Sequence, residues 1–377
     1  MRPAQVRVGS GAIPSRSRIT LISVSDAELP TLSTKNTKED AVRPRRHTFA
    51  RDVAAILAGI VLVTGPAAAQ DDVPRVASGR PDLQGVWDFR TTTPMERPED
   101  LADKAFLTEE QAQTRDQEAI AREIRLWNKP AERTEAGTNV DRRGAGEAPG
   151  SYNQFWIDRG TNTVGTRRTS LVIDPPNGRI PPMTPGGERR RNARQADLRD
   201  NPSAWTTSFS SGVRCVLGFN AGPPMNPSAY NNNMQLFQTD DHVVIMTEMV
   251  NTSRVVAIEG PAHAPQTIRQ WSGDSRAHWE GDTLVIETTN FDAKRQWRNT
   301  TNSAHLIERL TRVDEETLLY VFTVTDPDTW AAPWTAEVPM RKNTENMYEY
   351  ACHEGNYSMP VMLGGQRVEE RAAAGLR

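Results

Sequence analysis

This sequence predicts a mainly β fold: an antiparallel meander closing into a barrel or a twisted β-sandwich, with one peripheral amphipathic helix. Three observations lead there. From residue 234 onward, runs rich in Val, Ile, Leu, Thr and aromatic residues recur at short, regular spacing, separated by tight turns such as Gly281-Asp282. Pro (26) and Gly (25) are plentiful enough to favour turns over long helices. Only residues 108–127 combine a convincing helix start signal with an apolar stripe at helical spacing.

The chain opens on targeting features. Arg43, Arg45, Arg46 and Arg51 precede an apolar run over 53–63, and Ala67, Ala68 and Ala69 follow. A basic, then apolar, then small-residue pattern is that of a secretory signal, and the run is too short to span a bilayer. We expect a signal peptide over 42–69, cleaved after Ala69, with 1–41 a non-native leader before a true start near Val42. A membrane anchor or a buried helix is the plainer alternative. Residues 1–69 carry 10 basic and 5 acidic side chains, which leaves 35 against 43 in 70–377, a balance of −8. A weakly acidic body gives no general electrostatic reason to bind nucleic acid or an anionic membrane.

Residues 70–80 read as a flexible lead-in, and 83–90 as the first strand, which contains Gly85-Val86-Trp87. In 108–127, Thr108 and Gln111 form a capping box. Ala112, Ala119, Ile120, Ile124 and Trp127 make a thin stripe, which places this helix on the surface. Residues 132–150 are a long polar loop. Residues 167–173 read as a strand entering Pro-rich turns, and the basic run in 188–200 as a solvated helix face. Hairpins are expected within 234–249, 277–288 and 305–325, with further strands at 254–258, 334–340 and 347–352. The tail after Gln366 reads as frayed, so a single domain covers 81–366. In 305–310, His305, Ile307 and Arg309 share one strand face, while Leu306, Glu308 and Leu310 share the other. A charge on each face calls for a polar-lined interior or a solvent-facing edge.

Signatures of serine hydrolases, P-loop and dinucleotide enzymes, zincins and C-x-x-C proteins are absent, and no cofactor is expected. The densest polar constellation is Cys352-His353-Glu354-Gly355-Asn356-Tyr357. There His353 suits a proton carrier and Glu354 its orienting carboxylate, with His305 or Tyr357 as a second polar contact. The plainer reading is a strand end whose polar groups satisfy local backbone. His242, His305, His353, Glu248 and Glu354 are ligand types without ligand spacing, so no metal site is assigned. Asn153, Tyr230 and Asn231 suit hydrogen bonds to a polar ligand, and Trp156 suits stacking. Asp274 and Arg276 are candidate ligand contacts, whereas Glu280 and Asp282 belong to a solvated turn. Cys215 and Cys352 either pair across a long loop or stay as buried thiols.

The blocks NQFWID, RTSLVIDPPNGRIPP, GPPMNPSAYNN, QTDDHVVIMTEM, GDSRAHWEGDTLVIETTNF and YEYACHEGNY resemble those of a large family of exported, functionally uncharacterised bacterial proteins, over most of residues 80–370. The resemblance implies a periplasmic or secreted protein and carries no activity. Relatives often have His where this chain has Asn251, which weakens an acid/base or metal role there. Gly85-Val86-Trp87 is similar to the lipocalin G-x-W and implies a lipocalin-like barrel. From the residues themselves two functions are expected. One is an exported enzyme without a nucleotide cofactor, acting on a small polar or aromatic molecule by acid/base chemistry (a hydrolase, lyase or isomerase). The alternative is a lipocalin-like small-molecule binding protein with no catalysis. An envelope-associated structural role is the weaker third. Partners are then a small-molecule ligand or substrate, with no nucleic acid and no stable membrane insertion after signal cleavage. A pocket lined by converging His, Glu and Tyr marks the enzyme; one lined mainly by aromatic and aliphatic side chains marks the carrier.

Overall fold

Alternating side chains and tight turns close into a barrel in the computed structural model, which describes residues 73–128, 157–201, 203–295 and 297–376. The strands are β1 (Gly85–Asp88), β2 (Val172–Asp174), β3 (Asn233–Gln238), β4 (His242–Thr247), β5 (Ser253–Ile258), β6 (Asp274–Glu280), β7 (Thr283–Thr289), β8 (His305–Arg312), β9 (Thr317–Thr325) and β10 (Trp334–Asn343). The helices are α1 (Glu109–Trp127), α2 (Pro185–Asp200) and α3 (Ser358–Ala373). β1 pairs with both β3 and β10, so nine strands close on themselves and β2 adds to β10 from outside. The fold is a barrel rather than a sandwich.

One junction breaks the antiparallel meander. β5 and β6 run parallel, joined only at Ala257–Arg276 and Ile258–Ala277. A parallel pair needs a long crossover, and residues 259–273 supply it. Beyond those two pairs the strands part, leaving a cleft of about 440 Å³ lined by Ser253, Arg254, Trp271 and Ser275.

The barrel is filled by its own side chains. Leu306, Glu308, Leu310 and Arg312 of β8 are buried, and the residues between them are half-buried. Leu318, Tyr320, Phe322 and Val324 of β9 and Trp334, Ala336, Val338 and Met340 of β10 join the same core. Trp330 and Trp334 therefore serve packing, with Trp334 stacked on Trp297 at 6.1 Å and edge-on to Trp330 at 5.7 Å. Trp87 is fully buried; its indole N–H donates to the Leu83 carbonyl at 2.9 Å, and the Arg312 guanidinium covers its ring at 5.3 Å. Arg312 also donates to the carbonyls of Asp82, Asp314 and Glu315. The G-x-W residue is thus a plug for a packed barrel, not the floor of a ligand cavity.

The charge on the inner face of β8 finds a partner. Glu308 accepts from Arg254 at 2.6 and 2.9 Å and from the Tyr320 hydroxyl at 2.8 Å. Burial alone disfavours a charged Arg254, but Glu308 outweighs it and holds the guanidinium above its usual range. Burial and Glu308 push the Tyr320 phenol well up. Arg295, also buried, is pulled below the usual arginine range by burial and by Arg254.

Several elements depart from expectation. The strand read over 167–173 shrinks to β2, because Thr169 and Leu171 spend their N–H groups on Ala105 and Pro94. Residues 347–352 form no strand; a disulfide and a hydrogen bond from the Tyr350 N–H to Asn251 Oδ1 hold them. Among the described residues three α-helices stand; those at 108–127 and over the basic run of 188–200 were expected, and the third was not. α2 covers the basic run, and α3 runs through 367–373, where good helix formers and an Arg367–Glu370 pair replace the expected frayed tail. In α1 the capping box forms, but of its stripe only Ala112 is buried, and Ile120, Ile124 and Trp127 are exposed. Polar ties such as Asp116 to the Thr163 N–H at 2.7 Å anchor this helix. The lead-in is tied from residue 73 onward, with Arg75 bonded to Asp282 at 2.6 and 3.1 Å. Asp282 is therefore paired as well as solvated. The signal, leader and 132–150 loop expectations lie outside the described residues. Among the described residues, no helix is long and apolar enough to cross a membrane.

Candidate functional site

Cys215 and Cys352 are bonded to each other across 137 residues of sequence. The bond clamps the loop around residue 215 to the chain beyond β10, and a cleft of about 630 Å³ opens beside it. Phe219, Tyr230, Met249, Val250, Tyr350 and Met362 supply most of its apolar wall. Glu349, Glu354 and Asn356 supply its polar rim, and among the described residues no Lys or Arg lines it. Phe219 and Tyr230 meet edge-on at 5.4 Å.

Backbone constraint shapes this wall. Gly218 passes so close to Met249 that a Cβ there would run into the Met249 side chain. Val250, a β-branched residue, is held at φ 62°, ψ 18°, a conformation such residues rarely adopt. Asn251 follows at φ 46° and uses its side chain to receive the Tyr350 N–H. Asn251 therefore has a structural task here. Asn356 donates to the Val213 carbonyl at 3.1 Å and to Cys215 Sγ at 3.2 Å, closing the rim.

The expected catalytic group does not converge. Glu354 lines the cleft, but His353 and Tyr357 are exposed and outside its lining. His305 lies elsewhere, at the start of β8. Tyr230 is in the cleft wall. Asn231 is half-buried at φ 54°, and its carbonyl accepts from Asn220 at 2.9 Å. Neighbouring Asn232 is buried and bonds Ser228, Asp158 and Asn220, so the asparagine run mainly satisfies loop backbone. Asn153 and Trp156 lie outside the described residues.

Asp274, Arg276 and His305 do come together, on the outer face of β6–β8. Arg276 and Glu287 are register partners across β6 and β7. His305 Nε2 meets Glu287 at 2.7 Å, His263 Nε2 lies 3.7 Å from the same carboxylate, and His263 Nδ1 is 3.0 Å from Asp274. Arg276 pairs with Asp274 at 2.7 Å. Burial would raise Asp274, but the Ala264 N–H, His263 and Arg276 outweigh it and hold its carboxyl below the usual range. The His305 hydrogen bond holds Glu287 down in the same way. The four titratable side chains form a row that is hydrogen-bonded except at the step from His263 to Glu287. Sequence reasoning misses two of them. Glu287 is detectable as the cross-strand neighbour of Arg276; His263, in the crossover, has no local signal. Among the described residues, no group of three or more His, Cys, Asp or Glu side chains is placed to hold a metal ion.

Fold and cleft together define a filled β-barrel with ligand-sized clefts on its outside. No family profile matches the chain, and no curated protein matches it. Among solved structures, the chain is similar to a mutant of the fluorescent protein UnaG at 17% identity and a TM-score of 0.20, over 30% of this chain and 72% of that one.

Proposed function

We propose that this is an exported protein that binds a small organic molecule, with an apolar or aromatic body and a neutral or cationic head, in the cleft beside Cys215–Cys352. The carrying observation is the lining: among the described residues it has aromatic and aliphatic walls, two carboxylates and no basic group, at a volume typical of ligand sites. Ring faces and carboxylates both favour a cationic head. Export is supported by the signal-like segment over 42–69 and by the disulfide, which an oxidising compartment maintains. The binding reading is preferred to catalysis because His353, Glu354, Tyr357 and His305 share no pocket.

The test is calorimetric titration of the mature protein with phenyltrimethylammonium and with benzoate. The cation binds saturably and benzoate does not. Tyr230→Ala weakens the cation about tenfold, the scale of one aromatic contact with its burial. Glu354→Gln, at an exposed rim, weakens it about threefold. Equal affinity for both probes, or wild-type affinity in Tyr230→Ala, refutes the assignment. A second reading, acid/base chemistry on the outer face, is favoured by the row of His305, Glu287, His263 and Asp274. It requires a turnover lost in His263→Gln.

A further inference from the structure

A second cleft, of about 620 Å³, lies between α1, the chain that follows β1, and residues 159–171. Among the described residues five guanidinium groups line it, from Arg115, Arg122, Arg159, Arg168 and Arg298, against one carboxylate, Glu118. Such an excess is unusual in a chain whose mature part is acidic overall, and like charges held together destabilise a fold unless something occupies them. Two of the five, Arg115 and Arg159, have no hydrogen-bond or ion-pair partner among the described residues. Arg122 reaches only its neighbour Glu123, at 3.2 Å, and its Nε is buried without an acceptor. Arg168 stacks on Phe106 at 4.9 Å and lies 3.4 Å from Glu337. Arg298 sits at φ 45°, ψ 31°, a sparsely populated conformation for a side-chain-bearing residue. The Thr92 hydroxyl, in the same wall, is also buried without a partner. A buried polar atom left without a partner has a desolvation cost that an acceptor-rich ligand removes.

We propose that this cleft is a binding site for a small, multiply charged oxyanion, a phosphate ester or a polycarboxylate. Guanidinium forks match the oxygen geometry of both groups. The Thr92 hydroxyl donates a further bond. The cleft is separate in lining and opposite in charge preference from the disulfide cleft, so the two sites take different molecules. A polyanionic polymer is disfavoured because the basic groups line a concavity on an otherwise acidic body.

The experiment is titration calorimetry of the mature protein at low ionic strength, with pyrophosphate in one arm and citrate in the other. One equivalent binds saturably, and the tighter arm identifies phosphate or carboxylate as the natural group. Arg115→Gln and Arg159→Gln each lower affinity about tenfold, the scale of one charge-assisted hydrogen bond. Arg199→Gln, an exposed position on α2 paired with Asp200, leaves it unchanged. Neither cleft variant loses thermal stability, since neither side chain has a partner to lose among the described residues. That readout separates lost binding from lost folding. Absence of saturable binding in both arms overturns the proposal, as does an equal loss in Arg199→Gln. Arg115-dependent binding of single-stranded RNA that outcompetes pyrophosphate also overturns it, in favour of a polymer groove.

Discussion

Replacing Glu308 by Gln keeps the volume of the side chain and removes the charge that Arg254 faces. Glu308 is 1% exposed and Arg254 8%, so water reaches the remaining guanidinium poorly. The pair makes two hydrogen bonds, at 2.6 and 2.9 Å, and the Tyr320 hydroxyl adds a third to the carboxylate at 2.8 Å. A glutamine offers one oxygen for these three donors and turns an NH2 toward one of them. Leaving one member of a buried pair uncompensated costs ~3–5 kcal/mol. Buried Arg295, which Glu308 also helps to neutralise, keeps the cost toward the upper part of that range. At about 2–4 °C per kcal/mol for a domain of a few hundred residues, the melting temperature falls on the order of 10 °C. Scanning calorimetry at pH 7 measures this, with and without 1 M salt; a buried pair responds little to salt. The double variant Arg254→Met/Glu308→Leu removes both charges and stays within about 2 kcal/mol of the wild type. A loss below about 1 kcal/mol for Glu308→Gln would show that the opening between β5 and β6 solvates the pair. The account of the barrel interior would then be wrong.

Two further outcomes test other parts of the structure. Cys352→Ser frees a closure of 137 residues and costs ~5 kcal/mol in the chain-entropy model. Calorimetry reads the loss, and non-reducing peptide mapping of the wild type must show the Cys215–Cys352 link; two free thiols in protein purified without reductant refute it. Arg276→Gln tests the outer face through pH. Asp274 has a depressed folded pKa, so it contributes stability that is fully present above the unfolded value of about 4 and lost as pH falls through the folded value. The melting difference between Arg276→Gln and wild type is therefore larger at pH 7 than at pH 2.5. What remains at acid pH reflects the lost bonds to the Pro261 and Ala262 carbonyls. A difference equal at both pH values rules out the Asp274 contribution.

The candidate sites are less legible than the strands, for one physical reason. A hairpin is written in neighbouring residues, so Gly281-Asp282 and the alternation on either side of it are enough to place β6 and β7. A site is written in residues far apart. Cys352–Tyr357 reads as rich because its polar groups adjoin in sequence, yet the chain there turns His353 and Tyr357 outside the cleft. Asp274 and Arg276 stand two residues apart on one strand and pair with each other, but their neighbour His263 comes from the crossover. The Arg-lined cleft draws on α1, the chain after β1 and Arg298, and no window of sequence contains all three.

Local sequence was sufficient for the strand-rich class, the turn positions, the capped helix at Thr108 and the charge on each face of β8. All of these follow from local dihedral preference and from period-two or helical spacing. Long-range packing set what those patterns face. It closed β1 onto β10, ran β5 parallel to β6, gave Glu308 its buried arginine and bonded Cys215 to Cys352. Each of these joins residues that only the closed sheet brings within hydrogen-bonding or bonding distance. Their energies depend on burial, which no short stretch of chain possesses before the barrel forms.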